Sequence, residues 1–127
     1  MTEKEMLQRT KKFALRIMKL VDALPKTPAG RAIGGQLVRS GTSVPANYRA
    51  ACRGRSKAEF IAKLGIVEEE ADESGLWLEL IMEGGLLDER LVIDLHTEAG
   101  EITAIVSASR KTARERSQIA NRKSQIK

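Results

Sequence analysis

The chain has 127 residues with a formal net charge of +5, 42% apolar and 31% charged residues, which describes one globular domain rather than a disordered segment. Only 3% is aromatic (Phe13, Tyr48, Phe60 and Trp77), so the core must be built from Leu, Ile, Val, Met and Ala; that suits helices and suits a β-sandwich poorly. The single cysteine, Cys52, excludes an internal disulfide, residues 1–12 lack the apolar stretch of a signal peptide, and no segment approaches the roughly 20 apolar residues of a membrane span. A cytoplasmic setting is the expectation.

The first predicted helix runs over about residues 3–24, with Met6, Phe13, Ala14, Ile17, Val21 and Leu24 on one side and Arg9, Lys12, Arg16 and Lys19 on the other. Pro25 stops it, because the residue before a proline is pushed out of the helical region. Thr27 and Pro28 restart the chain with a capping hydroxyl and a proline at the first helical position. Ile33, Leu37, Val44 and Tyr48 then support a second helix up to about residue 53. Pro45 cannot donate to the carbonyl of Gly41, so this helix is expected to be kinked there but continuous. Two shorter helices with a turn at residues 43–45 are the alternative.

Ser56-Lys57-Ala58-Glu59 is a capping box. The third helix follows it, with Phe60, Leu64, Val67, Ala71, Ser74, Leu78 and Ile81 in steps of three and four. Gly84-Gly85 ends it. A fourth helix is predicted from near Asp88, carrying Leu91, Leu95, Ala99, Ile102, Ile105 or Val106, and Ser109. Short connections force antiparallel neighbours. The predicted fold is therefore all-α, an antiparallel up-and-down four-helix bundle over residues 1–116. Residues 117–127 are expected to form a basic tail, frayed or disordered, with only Ile119, Ala120 and Ile126 to bury.

Charge is segregated along the chain. Residues 1–63 hold 14 Lys/Arg and 4 Asp/Glu, residues 64–109 hold 1 and 12, and residues 110–127 hold 7 and 1. Five cations, Arg49, Arg53, Arg55, Lys57 and Lys63, fall near the junction of helices two and three, close to the positive end of the third helix's dipole, where phosphate would be held well. Two readings stay open. The cluster binds nucleic acid, or it pairs with Glu59, Glu68, Glu69, Glu70 or a neighbouring subunit's acids. Aromatic residues are too few to imply base stacking on a single strand. A second apolar set on the third helix, Ile66, Trp77 and Leu80, predicts an oligomer interface, unless a loop of the same chain covers Trp77.

No catalytic constellation emerges. Di-metal carboxylate bundles need Glu-x-x-His pairs. The only histidine, His96, follows Ile93 by three, and Glu68, Glu69, Glu70, Asp72 and Glu73 fall largely off the core seam. Cys52 lies near Arg49, Arg53 and Arg55, which would favour its thiolate, but it lacks a matching base. Neither diglycine has the strand and Lys-Ser/Thr context of a phosphate loop. No metal, cofactor or small-molecule substrate is expected.

Ser43-Val44-Pro45-Ala46-Asn47-Tyr48, then Arg55-Ser56-Lys57-Ala58-Glu59-Phe60 and the acidic run Glu68-Glu69-Glu70, form a pattern. It resembles the bacterial four-helix-bundle family of 23S rRNA intervening-sequence proteins. It is more distantly similar to the accessory variability protein of diversity-generating retroelements. The resemblance spans about residues 10–110. It implies a cytoplasmic bundle, commonly a homopentameric ring, with no established enzymatic activity. For the retroelement relatives it implies a basic surface engaging nucleic acid and a reverse transcriptase. The chain departs from the family in reading Arg49-Ala50-Ala51 where Ala-Glu-Gly is usual, a change that removes an acid and adds an arginine.

Overall fold

The computed structural model describes residues 1–126, the last by its backbone alone. Four helices occur in chain order: α1 (Glu3–Asp22), α2 (Pro28–Cys52), α3 (Lys57–Glu83) and α4 (Ile93–Ile126), with a single 3-10 turn (Glu89–Leu91) before α4. No strand occurs among the described residues. Each helix packs on its sequence neighbours, and α1 also meets α4, which closes a four-helix bundle and leaves α1 and α3 diagonal to one another.

The caps explain the boundaries. Thr2, Thr27 and Ser56 accept hydrogen bonds from the amides of Glu5, Gly30 and Glu59, satisfying donors that the helix leaves unpaired. Asp88 does the same for the 3-10 turn, so α4 begins at Ile93 and not near Asp88. At the end of α3 the amides of Gly84, Gly85 and Leu86 return to Leu80, Met82 and Ile81, and Gly85 takes the left-handed conformation (φ +67°).

Phe13, Ile17, Leu37, Val44, Leu64, Val67, Leu78, Ile81, Ile102 and Val106 are fully buried, and Val106, not Ile105, is the inward residue of that pair. Helix α2 is continuous through Pro45. A methyl group at Gly41 would lie 2.9 Å from Ile17 Cγ2, so the missing side chain lets α1 approach α2 just where Pro45 perturbs the ladder. Within the core, Ser40 of α2 and Ser74 of α3 share a 2.8 Å hydrogen bond; one hydroxyl donates to the other, which donates in turn to a carbonyl of its own helix (Leu37 for Ser40, Glu70 for Ser74), so neither buried hydroxyl is orphaned.

The tail corrects the sequence expectation. Residues 117–126 continue α4 as helix; residue 127 lies outside the described residues. The reason is propensity: between Arg110 and Ile126 there is no Gly or Pro, and Arg, Lys, Gln and Ala favour helix even where nothing is buried.

Contact between α1 and α4 is anchored by charge. Arg9 donates to Glu98 at 2.8 and 2.7 Å and to Glu101 at 2.5 Å. The Arg9 guanidinium holds the Glu98 carboxyl below its ordinary 4.5 despite burial. Stability from Glu98 is therefore complete above that value and is lost as pH falls through the lower folded-state pKa. Arg9→Ala should cost about 1–3 kcal/mol at neutral pH by stranding a half-buried carboxylate. The difference from wild type should shrink in acid, as read by urea unfolding at the two pH values. An undiminished difference in acid would remove Glu98 as the cause.

Candidate nucleic-acid interface

The antiparallel order brings the start of α1, the end of α2, the start of α3 and the later part of α4 to one end of the bundle. Arg49, Arg53, Arg55 and Lys57 are exposed at that end, while Lys63, further into α3, is half-buried. Among the described residues none of the five forms an ion pair. Of the acids suggested as their partners, Glu68, Glu70 and Glu59 are engaged otherwise, and Glu69 forms no ion pair among the described residues. Glu68 meets Arg110 at 3.4 Å and Glu70 meets Arg39 at 3.2 Å, while Arg39 also reaches Glu73 at 2.5 Å. Glu59 accepts from the backbone amide of Arg55 (3.2 Å) and so completes the cap of α3 without neutralising the guanidinium.

Only two of the five line a common groove. Arg49 and Arg53 flank a groove of about 640 Å³ between α1 and α2, floored by Leu7, Pro45, Ala46 and Cys52, and Lys11 of α1 joins them. Arg55, Lys57 and Lys63 do not line this groove. Nothing in the sequence singles out Lys11; only the packing of α1 on α2 makes it a neighbour of Arg49.

Cys52 is half-buried on the groove floor. Burial, and then the charge of Glu3, push its thiol up from the ordinary value, so the nearby arginines do not generate the thiolate that the sequence suggested. His96 lies 3.4 Å from Glu79 across α3 and α4. Among the described residues no three His, Cys, Asp or Glu side chains gather as metal ligands, and no helix is long and apolar enough to cross a membrane.

On α3, Ile66 and Trp77 are half-buried and Trp77 packs on the core of its own chain, whereas Leu80 is 40% exposed. The sequence reading missed Leu76, 49% exposed and one turn before Leu80. Among the described residues the indole N–H of Trp77 is buried without a hydrogen-bond partner, and Glu73, one turn before it, is held by Arg39. Across the bundle, α1 exposes Leu15 (57%) and Met18 (47%) among Lys11, Lys12 and Lys19.

A capped, antiparallel four-helix bundle with a cation-rich end is the class of protein that this geometry defines. Residues 2–108 match the 23S rRNA-intervening sequence protein family, and the chain belongs to that family. A crystal structure of a protein of unknown function from the S23 ribosomal protein family of Bacteroides thetaiotaomicron is similar, with 31% identity and a TM-score of 0.80. The match covers 87% of this chain and 99% of that one. Comparison with curated proteins found no match.

Proposed function

We propose that this protein is a non-enzymatic, cytoplasmic, ring-forming bundle that binds nucleic acid, either RNA or a ribonucleoprotein, through its basic end. The observation that carries the reading is the set of exposed cations, Arg49, Arg53, Arg55 and Lys57, without acidic partners among the described residues. Unpaired guanidinium and ammonium groups are suited to phosphate oxygens. The names of the family and of its solved relative tie both to ribosomal RNA or the ribosome, which supports RNA as the polyanion.

Assembly is part of the same proposal. The exposed pair Leu76 and Leu80 lies on an acidic face with Asp72, Glu73 and Glu79, and the pair Leu15 and Met18 lies on a basic face. The two faces are diagonal, different and oppositely charged, which suits head-to-tail contact between copies and a closed ring. Five copies is the number the family resemblance implies.

Replacing Arg49 and Arg53 together with Gln tests the binding surface. The variant should bind RNA more weakly, with a plot of log affinity against log salt flattened by roughly 0.7–0.9 for each phosphate no longer neutralised. Circular dichroism should be unchanged. An unaltered slope would remove these two residues from the interface. A second reading, a protein-interaction module with no nucleic-acid role, draws support from the apolar floor of the α1–α2 groove. It predicts no RNA binding at low salt.

A further inference from the structure

The family match ends at residue 108, yet α4 runs on as helix to Ile126. Phe60, near the start of α3, shares a shallow cleft with Ser109, Thr112, Ala113 and Arg116, so α3 covers α4 only about that far. Residues 117–126 project past the bundle by about 15 Å at the helical rise of 1.5 Å per residue. They project from the end that carries Arg53, Arg55 and Lys57.

Beyond Arg110, which is held by Glu68, this extension carries Lys111, Arg114, Arg116, Arg122 and Lys123 against one acid, Glu115. All five cations are exposed, and none forms an ion pair among the described residues. At about 100° per residue, Arg114, Lys111 and Arg122, and then Lys123 and Arg116, spread over more than half of the helix circumference. The opposite strip, Ala113, Ser117, Ala120 and Ser124, carries no large apolar side chain, and Ile119, 51% exposed, stands singly among the cations between Arg122 and Lys123, which is too little apolar area to hold the helix on protein or lipid.

We infer that residues 111–126 form an RNA-gripping arm that enters the deep groove of a stem opened by a bulge. A flat acidic protein face or a membrane would call for cations on one side of the helix. A groove deep enough to surround the helix presents phosphates on several sides. The B-form major groove admits a helix, but RNA is the occupant under the proposed function, and because the fully paired A-form major groove is too narrow for side chains, the stem must be opened, as a bulge does. Contact would be with phosphates and would position the stem without reading its sequence. The arm deepens the nucleic-acid reading proposed above and rests on it.

The test uses the full chain with Arg114→Gln, Arg116→Gln, Arg122→Gln and Lys123→Gln combined, titrated with a bulged RNA hairpin, the fully paired RNA and a DNA duplex of the same sequence. Wild type should prefer the bulged hairpin. The combined variant should bind at least about tenfold more weakly and flatten the salt slope by about 0.7–0.9 for each phosphate it fails to neutralise, with its oligomeric mass unchanged. If the variant binds as wild type does while Arg49→Gln/Arg53→Gln does not, the arm is overturned and the basic-end reading stands. If wild type binds none of the three probes at low salt, both fall. Equal or tighter binding to the DNA duplex, or to anionic vesicles, would overturn RNA as the occupant. A drop in oligomeric mass would reassign the arm to assembly.

Discussion

Phe13→Ala should destabilise the bundle by about 3–5 kcal/mol. Phe13 is the only aromatic side chain with no exposed surface, and it sits in the core of α1 beside Ile17, Leu37 and Val44 in one continuous cluster. Truncation removes the transfer energy of the ring and leaves a cavity that helices fixed by caps at both ends collapse into only partly. Against a total stability of about 5–15 kcal/mol for a domain of this class, that is a large share. Urea unfolding followed by circular dichroism measures it, with exposed Lys12→Ala as the control, expected to change stability by no more than about 0.5 kcal/mol. A cost below about 1 kcal/mol would mean that the face of α1 assigned to the core is wrong.

Under the proposed head-to-tail assembly, Leu80→Glu and Leu15→Glu should each give smaller species than wild type with little change in helical signal, because both residues are exposed in the isolated bundle. The effect is large since a charge is placed inside an apolar contact: on α3 it joins Asp72, Glu73 and Glu79, and on α1 it breaks the apolar pair with Met18. Head-to-tail contact makes a sharper statement. The Leu80→Glu protein keeps an intact α1 face and the Leu15→Glu protein an intact α3 face, so mixing the two should give a defined heterodimer that cannot close into a ring. Trp77→Ala should weaken assembly less than Leu80→Glu, because Trp77 already packs on its own core. Light scattering on the single variants and on the mixture decides the matter. Unchanged mass in both single variants would sink this interface.

The fold was legible where burial and capping act within a few residues. The three- and four-residue steps from Phe60 to Ile81, the Ser56–Glu59 box, Thr27-Pro28 and Gly84-Gly85 each carry a local physical instruction, and the structure follows them. Three features needed tertiary packing. The close approach of Ile17 to Gly41 depends on how α1 crosses α2, and the Ser40–Ser74 bond depends on the register of α2 against α3. The grouping of Lys11 with Arg49 and Arg53 needs both antiparallel order and rotation about the axes. The length of α4 was misjudged for another reason: weighting burial over propensity hides a helix that has little to bury. The candidate site was legible as charge but not as geometry, since sequence proximity grouped Lys63 with Arg49 while the fold half-buries Lys63 and places it outside the α1–α2 groove.

The most direct test of the basic end as a nucleic-acid surface is the salt dependence of RNA binding by the intact wild-type protein. The account predicts binding at low salt whose logarithm falls linearly with log salt, with a slope near −0.7 to −0.9 for each phosphate engaged, multiplied by the number of subunits in contact. Binding that is absent at low salt, or present and indifferent to salt, would contradict it.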